Sequence, residues 1–158
     1  MAAKKTNAAR ILDQMGIHYS IAEYQVDEAD LSATHVADII GQSPDIIFKT
    51  LVARGEKKGI AVFIIPGGDE LNLKAAAQAI GDKKVSMIQV KELMPLTGYI
   101  RGGCSPLGMK KNFPTYVHDS VLSYPEVYVS AGVRGMQLVI SPKDLIRATN
   151  ATTWKLID

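Results

Sequence analysis

Cysteine is almost missing from this chain: Cys104 is the only one in 158 residues. No intramolecular disulfide can form, and a zinc cluster built on several thiolates is excluded. Histidine is nearly as scarce. His18, His35 and His118 stand far apart without metal-ligand spacing, so neither a zinc enzyme nor a histidine-based triad is expected. Neither the P-loop pattern nor the dinucleotide fingerprint occurs, since no strand-loop-helix unit carries the required glycine spacing. No apolar run reaches membrane-spanning length, and the opening residues hold no apolar core of signal-peptide length. The chain is therefore expected to be soluble and cytoplasmic, with no membrane contact. A net charge of +2 is too small to argue nucleic-acid binding by itself. The basic pairs Lys4-Lys5, Lys57-Lys58, Lys83-Lys84 and Lys110-Lys111 read first as solvated turns or helix ends.

What is present is an ordinary globular composition, 47% hydrophobic and 22% charged, long enough for a sizeable core. Thr6 or Asn7 can cap a helix that Gly16 stops, and Ile17 to Tyr24 reads as a strand. After the acidic loop Asp27-Glu28-Ala29-Asp30, Ser32 or Thr34 caps a second helix ending at Gly41. The runs Ile46–Ala53 and Ile60–Ile65 flank a turn at Arg54–Gly59, which predicts a hairpin. Asn72 caps an alanine-rich helix to Ile80, with Gly81 behind it. Val85–Ile88 reads as a short strand and Val90–Leu93 as one turn of helix. Strands are expected near Tyr116–His118, Val127–Ser130 and Met136–Ile140, followed by a helix started by Ser141-Pro142. Strands and helices in this mixed order predict one α+β domain over residues 1–158 rather than a doubly wound sheet.

Lys49 interrupts the apolar run Ile46-Ile47-Phe48-Lys49-Thr50-Leu51-Val52-Ala53. Strand alternation places Ile47, Lys49 and Leu51 on one face. A lysine between two inward-facing hydrophobes is costly unless its ammonium meets a pocket, an anion or a carboxylate. The alternative is an edge strand whose lysine snorkels to water. A second anomaly is the loop Thr97–Gly108, with four glycines and a proline in twelve positions. Its backbone can approach a ligand closely, and outward amides can hold an oxyanion or a phosphate; the plainer reading is a tight structural loop. Cys104 within it has no histidine placed beside it by the sequence, and single cysteines are usually small core or loop residues. Ser130 reads first as a turn serine, and Tyr24 as a phenol closing the core rim.

Several motifs together resemble the YbaK/EbsC family, which is related to the editing domain inserted in bacterial prolyl-tRNA synthetases. They are Phe48-Lys49-Thr50-Leu51, Leu71-Asn72-Leu73-Lys74, Thr97-Gly98-Tyr99 through Gly102-Gly103-Cys104-Ser105-Pro106-Leu107-Gly108, Lys110-Lys111, and Tyr128 through Gly135. The resemblance covers nearly the whole chain in order. It implies a mixed, barrel-like β-sheet with helices packed outside, and deacylation of mischarged tRNA in trans, most characteristically cysteine on the proline tRNA. No metal or organic cofactor belongs to the family. By position Lys49 matches its functional lysine, Thr50 the neighbouring threonine, Tyr24 and Ser130 the pocket tyrosine and serine. Gly102 to Pro106 matches a G-x-x-x-P loop facing the scissile ester. The resemblance thus implies that the cysteine thiol attacks its own ester, that Lys49 holds the terminal adenosine phosphate or the ester carbonyl, and that amides of Gly102 and Gly103 meet the oxyanion. Gln137 stands where relatives commonly carry an acid, and Leu31 or Ser32 where many carry an aromatic, which leaves amino-acid choice open. Mischarged tRNA, with help from prolyl-tRNA synthetase, is the expected partner. The alternatives are a deacylase for another small amino acid by water attack, and a non-catalytic module binding tRNA or the synthetase.

Overall fold

The computed structural model describes residues 5–158; Lys4 of the first basic pair lies outside them. Helix α1 (Asn7–Gln14) is capped by Thr6, whose hydroxyl accepts from the Ala9 amide at 3.2 Å. It is followed by β1 (Ser20–Glu23), α2 (Ala33–Ile40), β2 (Phe48–Gly55), β3 (Gly59–Pro66), α3 (Leu73–Ile80) and β4 (Val85–Met87). Then come α4 (Val90–Thr97), β5 (Thr115–His118), β6 (Val127–Ser130), β7 (Met136–Ile140), α5 (Pro142–Thr149) and β8 (Thr152–Trp154). The expected caps are in place. Ser32, Asn72 and Ser141 each accept from a backbone amide three residues on, satisfying donors that the first helical turn leaves unpaired.

Strands β2 and β3 form the predicted hairpin, with Lys49 opposite Ile65 and Leu51 opposite Phe63. β4 joins the far edge of β2, while β5 and β8 add parallel to β3, giving the order β4-β2-β3-β5-β8. A second, antiparallel sheet has the order β1-β7-β6. The five-stranded sheet is covered on both faces. Phe48, Ile64 and Val117 pack with α1, α5 and the apolar residues of β6 and β7, whereas Ala53, Ala61, Phe63 and Ile65 pack beneath Ala76 and Ala77 of α3. Burial on both faces explains why β3 reads as an unbroken apolar run rather than an alternation.

The expected α+β architecture is present, one helix boundary is corrected and one strand is added. The barrel-like arrangement stays open. Among the described residues the two sheets meet through one parallel bridge, Ile47 to Tyr128, with the Tyr128 amide on the Ile46 carbonyl at 2.9 Å. The physical reason is a divided edge: one side of β2 meets β6 at its start and β4 from Ala53 to Gly55, so neither ladder runs on. Helix α4 continues through Pro95 instead of stopping at Leu93. It ends with Thr97 Oγ1 donating to the Leu93 carbonyl and Gly98 N to Met94 O. Strand β8 had no periodic signal, being three residues recruited by the parallel edge of β5.

Candidate active site

Between the bridge at Ile47 and the β4 pairing at Ala53, no strand among the described residues covers the edge of β2. A cleft of ≈ 390 Å3 opens along this gap, and all six residues from Ile47 to Val52 line it. Strand amides alternate sides. The Val52 carbonyl faces the β4 edge, where it accepts from Ile88 N at 3.4 Å, so the N–H and C=O of Thr50 face the same open edge. The unclosed barrel and the site are one feature. Edge backbone left without a strand partner is a ready donor and acceptor for something bound there.

Lys49 belongs to the cleft and not to a solvent edge. Its ammonium is half-buried and donates to the Gly67 carbonyl at 3.2 Å. Burial lowers its pKa below the ordinary 10.5, opposed by the charges of Asp69 and Glu70. Gly67 is held in turn, its amide donating to Ile47 O at 2.7 Å, and a Cβ there would sit 2.7 Å from that of Ala33. The break after β3 thus fixes the lysine from behind.

Thr50, Tyr24, Ser130 and Gln137 line the same cleft. Tyr24 extends the edge of β1, its amide bonded to Gly135 O at 3.0 Å. Ser130 and Gln137 face each other across β6 and β7. Ser130 Oγ accepts from Gly132 N at 3.1 Å, so the turn reading is correct, and its hydroxyl proton is left free to donate into the cleft. Gln137 is 6% exposed, and its Oε1, like Thr50 Oγ1, is buried without a hydrogen-bond partner among the described residues. Both atoms belong to cleft-lining residues, where a bound ligand can supply the missing partner.

The glycine-rich loop contributes selectively. Gly102 lines the cleft at φ +83, a conformation glycine adopts without strain. Gly103 does not line it: the residue is buried and its amide donates to Ile100 O at 3.0 Å, so it is not free to meet an oxyanion. Pro106 is also buried and lines a second hollow, with Leu107 and Gly108, behind the loop. Both residues shape the loop from outside the cleft. Tyr99 pins it, its phenol donating to the Leu107 carbonyl, and burial pushes that phenol up to about 12. Arg134 ties it from the other side, with Nε on Arg101 O at 2.9 Å and Nη1 on Glu28 at 2.8 Å.

Sequence reasoning missed several lining residues. Arg101 sits beside Gly102, and Met87, Val90 and Leu93 form an apolar side; Cys104, already weighed from the sequence, lines the cleft as well. Arg101 had a signal, a cation inside a glycine-rich loop; the apolar side had none, because those residues read as ordinary core. Burial pushes the Cys104 thiol up to about 12, so it stays protonated and is a poor nucleophile. No histidine, aspartate or glutamate lines the cleft. Among the described residues there is no cluster of three or more His, Cys, Asp or Glu that could hold a metal ion.

Comparison with known proteins agrees with this geometry. The family model described as "Aminoacyl-tRNA editing domain" matches residues 28–148. EbsC of Enterococcus faecalis, named as a candidate Cys-tRNA(Pro)/Cys-tRNA(Cys) deacylase, is 48% identical over 147 residues, covering 93% of this chain and 90% of that protein. The proline–tRNA ligase of Shouchella clausii is 31% identical over 114 residues, 72% of this chain but 19% of the ligase. A crystal structure of a candidate trans-editing enzyme for prolyl-tRNA synthetase superposes with a TM-score of 0.83 at 28% identity, covering 98% of this chain and 99% of that one. Fold, cleft and relatives converge: this chain belongs to the aminoacyl-tRNA editing domain family.

Proposed function

We propose that this protein, acting in trans and in the cytoplasm, removes cysteine from mischarged Cys-tRNA(Pro), and that residues 1–158 form one deacylase unit. One observation carries the choice of mechanism. The cleft holds two cations, hydroxyls and an uncovered strand edge, but no carboxylate or imidazole to activate water. Such a site suits a substrate that brings its own nucleophile.

The cysteinyl ester does. Its thiol, ordinarily near pKa 8.5, ionises more readily beside the Lys49 ammonium. The thiolate attacks its own ester carbonyl, forming a C–S bond and breaking the ester C–O bond. The departing ribose oxygen takes up a proton, leaving a thiolactone and free tRNA. Correct alignment can supply several of the roughly 7–11 kcal/mol available from intramolecular positioning, part of which ring strain offsets. Lys49, with the amides of Gly102 and Thr50, faces the developing oxyanion, replacing the Gly102–Gly103 pair expected from the sequence. Tyr24 and Ser130 hold the acyl end, and Gln137 offers its unpartnered oxygen to the substrate amine.

The test is deacylation of cysteinyl-, alanyl- and prolyl-tRNA, each with and without free prolyl-tRNA synthetase. Cysteinyl-tRNA is expected to turn over fastest, with Lys49→Ala at least 100-fold slower. The alanyl ester must use water and is expected to lag by at least ten-fold. Alanyl turnover matching cysteinyl turnover would replace cyclisation by hydrolysis. Binding without turnover on any substrate would make the chain a tRNA- or synthetase-binding module. A rate increase on adding the synthetase would support it as a partner.

A further inference from the structure

Lys49 is inside the cleft and bound to Gly67, which leaves open what holds the nucleotide behind the ester. Other cations near the cleft are occupied: Arg54 pairs with Glu92 at 2.8 Å and Arg134 with Glu28 at 2.8 Å. Arg101 is different. It lines the cleft and is exposed, and among the described residues its guanidinium has no carboxylate partner. Its backbone is nevertheless held, through Arg134 Nε on its carbonyl at 2.9 Å. A free guanidinium on an anchored backbone is well suited to a phosphate, which it can grip bidentately.

The same cleft carries apolar surface with no covering element. Val90 is 64% exposed and Met87 43% exposed, and both line it with the half-buried Leu93. Adjoining exposed aliphatics at a cleft wall form a surface that an apolar group can cover.

We propose that the mouth of the cleft is a subsite for the 3′-terminal adenosine 5′-phosphate of the charged tRNA. The Arg101 guanidinium takes the phosphate, and Met87 with Val90 supports the purine. This deepens the deacylase reading and rests on it. It divides the work of the two cleft cations: Arg101 anchors the nucleotide, and Lys49 is left to the ester. A phosphate outside and an ester inside also orient the acyl group inward past Gly102.

The experiment compares two small substrates, 2′(3′)-O-cysteinyl-adenosine and the same ester carrying a 5′-phosphate. Wild-type protein is expected to favour the phosphorylated ester about ten-fold in KM. In Arg101→Ala that preference collapses to about one, and Arg101→Lys restores part of it. Val90→Asp is expected to raise KM for both esters alike, because it removes purine support and leaves the phosphate contact. A preference that survives Arg101→Ala, or one absent from wild type, overturns the subsite. A separate binding titration with adenosine 5′-monophosphate against adenosine, read by NMR shifts on the intact protein, needs no turnover. Deacylation of cysteinyl-tRNA without any phosphate preference refutes the subsite alone. Absence of deacylation with Arg101-dependent nucleotide binding refutes the deacylase reading and keeps the nucleotide site.

Discussion

Lys49 shows how the role proposed for it conflicts with stability. Burial lowers its pKa, because the folded protein disfavours the charged form. Between that lowered value and the ordinary 10.5, the unfolded chain binds more protons than the folded one, so this residue makes stability rise with pH there. Lys49→Met is therefore expected to raise stability at neutral pH, by an amount that solvent screening of the half-exposed ammonium keeps small, while removing deacylation. Denaturant midpoints measured from pH 7 upward check this; a difference between variant and wild type that does not shrink towards pH 10.5 contradicts it. Cys104 gives the opposite lesson. Its thiol is raised from 9.0 to about 12, so its thiolate fraction at pH 8 is about a thousand-fold below that of an unperturbed thiol. Native protein is expected to resist iodoacetamide at least 100-fold better than urea-unfolded protein. Equal labelling rates would show a reactive thiol.

Among the elements, stability and catalysis separate onto different hydrogen bonds. The Ser141 cap of α5 accepts from Asp144 N at 3.3 Å, away from the cleft. Ser141→Ala should cost about 1 kcal/mol and leave the rate per folded molecule unchanged. Arg134 joins three cleft-lining segments, touching Glu28 before α2, Arg101 on the glycine-rich loop, and the β6–β7 turn it stands on. Its ion pair with Glu28 is exposed, so stability should move by less than about 1 kcal/mol in Arg134→Ala. Deacylation should fall about ten-fold through kcat, since Gly102 loses its bracing. Thermal melts and single-turnover rates on the same samples separate the two effects; equal fractional losses in both would reduce Arg134 to a structural role.

For the whole molecule, a net charge of +2 gives no broad electrostatic grip on a polyanion. With one to four phosphate contacts to the single-stranded tRNA end, the slope of log K against log salt is expected between about −0.7 and −3. A much steeper slope would point to an extended tRNA-binding face. Among the described residues no helix is long and apolar enough to cross a membrane.

Much of the element order was readable in one dimension. Ser32, Asn72 and Ser141 signalled helix starts because capping is local chemistry, and the β2–β3 hairpin followed from two apolar runs around a polar turn. The oddity of Lys49 was equally local, a charge where alternation demands an apolar side chain. Whether it snorkelled or faced a pocket was not local. That depended on the edge of β2 being shared between β6 and β4, a long-range pairing that leaves Thr50 backbone uncovered and prevents the barrel from closing. The glycine-rich loop was visible by composition, yet only folding determined that Gly102 faces the cleft while Gly103 bonds to Ile100 and Pro106 lies behind. Sequence alone determined most of the elements and the chemical inventory, because propensity, capping and turn chemistry act over a few residues; β8 and the end of α4 were exceptions. The tertiary structure decided which groups share the cleft, because strand pairing joins residues more than a hundred positions apart, as at Ala22 and Gln137.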